Sequence, residues 1–428
     1  MTYQRRLVDD QLDELMAILP AIAIEGAKGV GKTETATGRS AQIYPLDNPT
    51  IHAMVDANPE LVLQSNSGTT FIDEWQRVPS TWDLVRRAVD KGANPGRFLL
   101  AGSASLNQQP TPRGKPLPHS GAGRIVRVMM RPMSLPERGV PTGTVSLSRL
   151  LSGERPEIAG STTITLPDYT NEILTSGFPG IRAALPAARP YLLDSYIDHI
   201  VDHDVSEAGQ VVRRPTSLLS WLTAYGAATA TTASYASLLN AASPGEDAKP
   251  SKITAMTYRD LLQRLWVVDP LPAWSPVLAS LKHLGQSPKH HLVDPGLAAR
   301  LVGATADSLI SGQGPVRSEG VFLGALFESL SVQTIRSLAQ SARAKAFHLR
   351  THGGEREIDL IIQRPDLKIV AFEIKLSSIV RPADIAQLTW LKAQMPDLVL
   401  DTVLINTGPE AYRRKDGVAV VPLALLTP

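Results

Sequence analysis

The chain has 428 residues, of which 43% are hydrophobic, and 43 Lys and Arg stand against 41 Asp and Glu for a net charge of +2. That length fits about three domains with real cores, and the near-balanced charge excludes a globally basic nucleic-acid binder, so any such surface must be local. The chain has no cysteine, which excludes disulfides, thiolate zinc sites and cysteine nucleophiles.

The N-terminus, MTYQRRLVDDQLDE, mixes charges, and the apolar stretch behind it is too short to cross a bilayer. Nothing else approaches a span, so a cytoplasmic protein with no membrane partner is expected. Ala21-Ile22-Ala23-Ile24 reads as a short buried strand. It runs into Gly26-Ala27-Lys28-Gly29-Val30-Gly31-Lys32-Thr33, a fit to GxxxxGK[ST]. Such a loop cradles phosphates. Small residues let backbone N–H groups converge on anionic oxygens, Lys32 adds a point charge at the β/γ-phosphates, and Thr33 offers a hydroxyl to Mg²⁺. A helix opening at Lys32 would aim its positive end at the same phosphates. ATP and Mg²⁺ are the expected ligands.

Thr70-Phe71-Ile72-Asp73-Glu74 supplies the carboxylates that such a loop needs at a neighbouring strand end. Asp73 is expected to hold the Mg²⁺ shell and Glu74 to polarise the attacking water. A third apolar run, Phe98-Leu99-Leu100-Ala101, ends in Gly102-Ser103, where Ser103 either senses the γ-phosphate or caps the next helix. Strands alternating with helices make a P-loop α/β domain of roughly 140 residues.

The Pro- and Gly-rich stretch Pro110 to Gly123 reads as a surface loop. Around it Arg113, Lys115, Arg124, Arg127, Arg131 and Arg138 face a single acid, Glu137. The cluster is either a solvated basic face or a phosphate or nucleic-acid surface.

Further on, Tyr191 to Val205 has helical spacing, with Asp198 and Asp202, and His199 and His203, sharing faces at i, i+4. Lacking a third ligand, these read as a solvated helix face. Ser217 to Tyr225, Ala233 to Leu239 and Ile253 to Leu265 read as three helices before the strand-like Leu265-Trp266-Val267-Val268. That order suggests a winged helix with Ile253 to Leu265 as recognition helix. Its basic residues are only Lys252, Arg259 and Arg264, so a lid or oligomer contact fits equally well. His290 and His291 read as polar strand or loop residues.

EIDLIIQRPDLKIVAFEIKL, Glu357 to Leu376, reads as a hairpin turning about Asp366. Antiparallel partners then have numbers that sum to twice 366: Asp359 faces Glu373, Glu357 faces Lys375, and Ile358, Leu360 and Ile362 meet Ile374, Phe372 and Val370. Alternation puts the apolar pairs on one face and the charged pairs on the other. Facing carboxylates with Cβ atoms about 4.5 to 5.5 Å apart repel, so Asp359 against Glu373 calls for a cation. One answer is Mg²⁺ or Mn²⁺, with the Ile374 carbonyl as a third ligand and Lys375 orienting a water or stabilising a pentavalent phosphate. The other is an ordinary amphipathic hairpin in which Lys375 pairs with Glu357.

LPAIAIEGAKGVGKT, FIDEWQRVP, FLLAGSAS, GAGRIVRVMMRPMSLPE, TSGFPGI, YIDHIVDHDV, HHLVDPGLAARL, GALFES, EIDLII and AFEIKLS together span nearly the whole chain. In these strings the chain resembles bacterial and archaeal AAA-type ATPases whose P-loop core is followed by a C-terminal DUF4143 region. The resemblance implies an arginine finger at Arg124 and a C-terminal PD-(D/E)xK nuclease-like fold, with Glu328 as its helical acid and Gln387 on its downstream helix. The expected α/β architecture is a P-loop AAA-like ATPase domain at residues 1–140, a helical, winged-helix-like domain at 141–312 and a restriction-endonuclease-like domain at 313–428. Two functions remain open. One is an ATPase, as a homo-oligomer, gating a metal-dependent nuclease on DNA. The other is an ATP-dependent regulatory or assembly switch whose C-terminal domain is an inactive DNA- or protein-binding module.

Overall fold

A computed structural model describes residues 3–64, 68–103, 121–140, 143–205, 214–242, 252–275, 287–312, 319–351 and 353–428. Arg113 and Lys115 lie outside these residues, as does most of the Pro- and Gly-rich stretch. The first unit contains α1 (Leu7–Met16), β1 (Ala21–Glu25), α2 (Lys32–Thr37), β2 (Gln42–Pro45), α3 (Pro49–Ala57), β3 (Thr70–Asp73), α4 (Ser80–Asp90), β4 (Phe98–Gly102) and β5 (Val126–Met129). Its five strands lie in the order β2-β3-β4-β1-β5, every neighbour parallel. The central strands β1 and β4 are buried along their whole length, which is why they are continuous apolar runs rather than alternating ones. The two threonines entering β3 are tolerated there because each hydroxyl is satisfied: Thr69 Oγ1 donates to the Gly96 carbonyl at 2.7 Å and Thr70 Oγ1 accepts from Arg97 at 2.8 Å.

The next segment departs from the expected division. β6 (Val145–Ser146) pairs with the last strand of the chain, α5 (Leu147–Ser152) packs on the C-terminal sheet, and β7 (Ala159–Ser161) forms an edge of that sheet. Residues 143–161 therefore belong structurally to the C-terminal unit and not to the helical one. Chain-distant strands can pair in this way at little cost because loop-closure entropy grows slowly with length.

The helical unit comprises α6 (Leu166–Thr175), α7 (Pro179–Arg182), α8 (Arg189–His199), α9 (Pro215–Ala227), α10 (Tyr235–Ala241), α11 (Lys252–Arg264), α12 (Pro295–Leu301) and α13 (Ala306–Ser311). The three expected helices appear as α9 to α11. The expected strand after them reduces to isolated antiparallel bridges, Val268 to Leu292 and Leu271 to Lys289, because Trp266 turns the backbone to φ 59°. On α11, Arg259 is paired with Asp260 at 2.6 Å and stacks on Tyr235, while Ile253 and Met256 are its exposed large apolar residues.

The C-terminal unit adds α14 (Glu319–Ser341), β8 (Lys345–Arg350), β9 (Glu357–Gln363), β10 (Ile369–Ile374), α15 (Ala386–Gln394), β11 (Val399–Asn406), β12 (Glu410–Arg413), β13 (Ala419–Pro422) and β14 (Leu426–Thr427). Its seven-stranded sheet runs β7-β12-β13-β11-β10-β9-β8. The hairpin register is the expected one, with Leu360 opposite Phe372 and Ile362 opposite Val370, around a turn in which Leu367 takes φ 70°. Beyond Leu360 it changes. The β8 register on β9 shifts between Phe347–Ile361 and Leu349–Ile358, and a bulge of this kind re-aims side chains. Ile358 accordingly packs with Ile361 and Ala371 in the core under α15, while Ile374 packs with Leu360 and Phe372 in the core under α14. The expected pairing of Ile358 with Ile374 does not occur.

Candidate functional site

Because β1, β3 and β4 are parallel, the residues that follow them gather at one sheet edge, where α/β sheets bind ligands. β1 delivers the phosphate loop. At Gly26 an added Cβ would lie 2.2 Å from the Met130 carbonyl oxygen, and Gly31 caps α2 at φ 102°. The loop therefore admits only glycine at its entry. Lys32 is buried and its Nζ donates to the Gly26 and Ala27 carbonyls at 2.8 and 2.9 Å. Burial lowers its pKa to about 8. Thr33 Oγ1 donates to Asp73 Oδ2 at 2.8 Å, and burial raises Asp73 to about 6. Glu74 takes φ 50°, a left-handed conformation that costs a side-chain residue energy. Its carboxylate accepts from Gln76 Nε2 and, at 3.4 Å, from Ser103 Oγ. The four residues Asp73, Glu74, Ser103 and Thr33 thus meet as the spacing implied. Gln76 was not legible in sequence, since a glutamine just past an acidic pair carries no signal of its own.

A cleft of about 990 Å³ opens beside the loop, lined by Lys28, Gly29, Gly31, Lys32, Thr33 and Glu74 on one side and by Pro179, Gly180 and Arg182 of α7 on the other. This helical wall touches the loop directly. Lys28 Nζ pairs with Asp204 Oδ1 at 2.5 Å, Tyr196 Oη donates to the Lys28 carbonyl at 3.1 Å, and Phe178 approaches Gly29. Asp204 ends a π-helical turn, Ile200–Asp204, that extends α8. From the N-terminus, buried Arg6 donates to the Val30 carbonyl at 2.8 Å and pairs with Glu137 at 2.9 Å. The His199 and His203 rings lie against each other, tilted by 40° with centroids 4.7 Å apart, as their i, i+4 spacing allows.

Among the described residues of the basic cluster, three turn inward. Arg131 pairs with Asp269 at 2.8 Å, Arg127 lies 3.4 Å from Glu25, and Arg138 is fully buried. Arg138 donates to the carbonyls of Met133 and Glu172 and to Gln333 Oε1, so it joins all three parts of the chain. Arg124 is exposed and pairs with Asp90 at 2.9 Å. Val126 pairs with Ile22, so Arg124 lies at the amino edge of the sheet, opposite the chain's own phosphate loop.

The C-terminal carboxylates converge, but on a residue that sequence reading missed. Lys289 Nζ lies 2.8 Å from Glu328, 2.9 Å from Glu357 and 3.1 Å from Asp359. Glu357 thus pairs with Lys289, not with Lys375 as the hairpin register implied. Lys375 Nζ lies 2.7 Å from Glu373 and 3.6 Å from Asp359. The Ile374 amide donates to Asp359 Oδ2 at 2.9 Å. Burial opposes charge on Asp359, but Lys289 and Lys375 outweigh it and hold the carboxyl below its ordinary value. Burial, and then the Asp359 charge, raise Glu373 well above its own. The set Glu328, Asp359, Glu373 and Ile374 does not fit a Mg²⁺ or Mn²⁺ ion. Lys289 and Lys375 already occupy its carboxylate oxygens, and among the described residues no three His, Asp or Glu side chains are placed so as to hold a metal.

Three family models match separate stretches of the chain. Residues 19–138 match the AAA domain family, 166–308 a domain of unknown function (DUF8612), and 323–426 a domain of unknown function (DUF4143). The N-terminal unit is thus similar to the AAA domain family. Uncharacterized proteins of Mycobacterium bovis and Mycobacterium tuberculosis are each 26% identical to the chain over 99% of its length and 84% of theirs. A Walker-type ATPase of Pyrococcus abyssi is similar in structure at a TM-score of 0.40 and 12% identity, over 70% of this chain and 96% of that one. The segment Ala159–Ser161, which joins the C-terminal sheet, falls between the AAA and DUF8612 matches. Asp204, Tyr196 and Lys289 all lie within the DUF8612 match. The region between the ATPase domain and DUF4143 therefore touches both of their polar centres.

Proposed function

We propose that the chain binds ATP·Mg²⁺ in the cleft beside the phosphate loop, hydrolyses it, and passes the nucleotide state to the helical region. The observation that carries this reading is the Thr33 to Asp73 contact at 2.8 Å beside Glu74, a loop hydroxyl and a strand-end carboxylate already side by side. Lys32 would leave the loop carbonyls for the phosphates, and Thr33 and Asp73 would hold the metal shell. Bound Mg²⁺ supplies charge neutralisation at the phosphate oxygens. Glu74, held by Gln76 and Ser103, would accept the proton of the attacking water. Arg124 could serve only a neighbouring protomer's nucleotide, which implies a homo-oligomer. Titration calorimetry tests the reading. Wild-type protein should bind ATP·Mg²⁺ and Lys32→Ala should not, and wild-type protein without measurable affinity would overturn it.

For the C-terminal unit we favour the interaction module over the metal-dependent nuclease acting on DNA. The specific support is Lys289, whose ammonium occupies the centre of the carboxylates that a nuclease would use for metal. The pairing of Arg127 and Arg131 and the burial of Arg138 also commit three of the six basic residues expected at a DNA surface. On this reading ATP turnover drives a regulatory or assembly switch, and plasmid incubated with the protein, Mn²⁺ and ATP stays intact.

A further inference from the structure

We propose that Lys289 is the permanent resident cation of the C-terminal carboxylate cluster, closing the site to divalent metal and fastening the helical region to the DUF4143 unit. The ammonium has three N–H donors, and it has three carboxylate partners within 3.1 Å, from α14 and β9. Glu328 and Asp359 accept hydrogen bonds from it, and Glu357 completes the ring of ion pairs. Only 1% of its side chain is exposed, so solvent does not compete for it.

The backbone holds this side chain in place. Lys289 and Leu271 exchange N–H to carbonyl bonds at 2.9 Å in both directions. His290, next along, turns the other way. Its ring packs edge-on against Tyr225 and Tyr235, and Nε2–H donates to the Ala233 carbonyl at 2.7 Å. His291 returns to the side of Lys289 and meets Ser329 of α14 at 3.2 Å. Three consecutive side chains are thus anchored alternately in the helical region and on the C-terminal unit, the period-two pattern of extended chain. A divalent ion would need the oxygens that Lys289 occupies, and displacing the ammonium would leave it buried and unpaired, a costly outcome. Removing the side chain reverses the problem. Glu328 would then lose its ammonium partner while Lys375 still faced Asp359 and Glu373, and the oxygens that Lys289 vacates would become open to a hard cation.

The test uses the full-length chain without nucleotide, after EDTA treatment, with Mn²⁺ as probe. Wild-type protein should bind no Mn²⁺ that Asp359→Asn abolishes, as read by electron paramagnetic resonance, and its Tm should be the same in EDTA and in Mn²⁺. Lys289→Ala should unfold at lower temperature in EDTA, recover in Mn²⁺ and gain a bound ion. One equivalent of Mn²⁺ on the wild type, lost in Asp359→Asn, would overturn the proposal even if Lys289→Ala failed to fold. Mn²⁺ binding that survives Asp359→Asn lies elsewhere and counts in its favour. None of these readouts depends on ATP hydrolysis.

Discussion

Asp204, at the end of the π-turn, holds Lys28 of the phosphate loop at 2.5 Å, so a carboxylate of the helical region competes with phosphate for a loop cation. Only 8% of the Asp204 side chain is exposed, which places the pair above the weakest surface bridges. Breaking it should release roughly 1 kcal/mol of competition, about fivefold in affinity. Asp204→Asn is therefore expected to tighten ATP·Mg²⁺ binding severalfold. Calorimetry giving equal or weaker affinity for this variant would count against competition at Lys28.

Glu74 stands in a left-handed conformation beside Gln76 and Ser103, and the proposed function gives it the role of base. Glu74→Gln should keep nucleotide affinity within about twofold while slowing hydrolysis by a hundredfold or more, roughly the worth of a positioned general base. Single-turnover phosphate release, compared with binding on the same preparation, separates the two effects. Equal losses in both would assign Glu74 to binding.

At Gly26 a methyl group would sit 2.2 Å from the Met130 carbonyl oxygen, a backbone atom that cannot rotate away. Gly26→Ala should force β1 and the segment after β5 apart, lowering Tm and eliminating nucleotide binding together. Gly180, at the cleft wall, has open space around its Cα, and Gly180→Ala serves as the control that leaves Tm unchanged.

Arg138 is buried with Asp294 at 3.9 Å and bonds to Met133, Glu172 and Gln333. Replacing it with Met removes the charge that faces Asp294 and leaves the bonded carbonyls and Gln333 without their donor. The expected cost is about 3 to 5 kcal/mol, read as a fall in the urea midpoint. A change under about 1 kcal/mol would show that water replaces the guanidinium without penalty.

His348 is fully buried, with Nε2–H donating to the Ser287 carbonyl at 2.9 Å and Nδ1 without a partner among the described residues. Burial, and then the Lys289 charge, lower its pKa to about 4 from 6.5. The unfolded chain takes up a proton below pH 6.5 that the folded chain refuses until about 4. Stability is therefore fully present above 6.5 and is lost as pH falls through that window, by up to about 3 kcal/mol. His348→Gln should flatten the dependence of the urea midpoint between pH 6.5 and 4; an unchanged slope would assign the acid sensitivity to other groups.

Much of the nucleotide centre was legible because its determinants are local. Gly26 to Thr33 encode a backbone shape, and Asp73, Glu74 and Ser103 each follow a short strand-like run, so parallel order brings them to one edge. The hairpin was legible for the same reason as far as Leu360 and Phe372, where alternation dictates register. It failed at Ile358, because a bulge depends on what the neighbouring strand β8 imposes.

What the sequence determined by itself were the α/β class, the phosphate loop, its carboxylates and most of the hairpin pairing. Tertiary structure alone decided where the counter-charges come from. Lys289 sits 70 positions from Asp359 in sequence and Asp204 sits 176 from Lys28, separations over which no periodicity carries information. Residues 143–161 likewise show no signal that they complete a sheet whose other strands begin at Lys345. Long-range charge pairing is selected by burial: once Lys289 is enclosed, only carboxylates at hydrogen-bond distance can keep it charged, and which ones reach it is settled by packing.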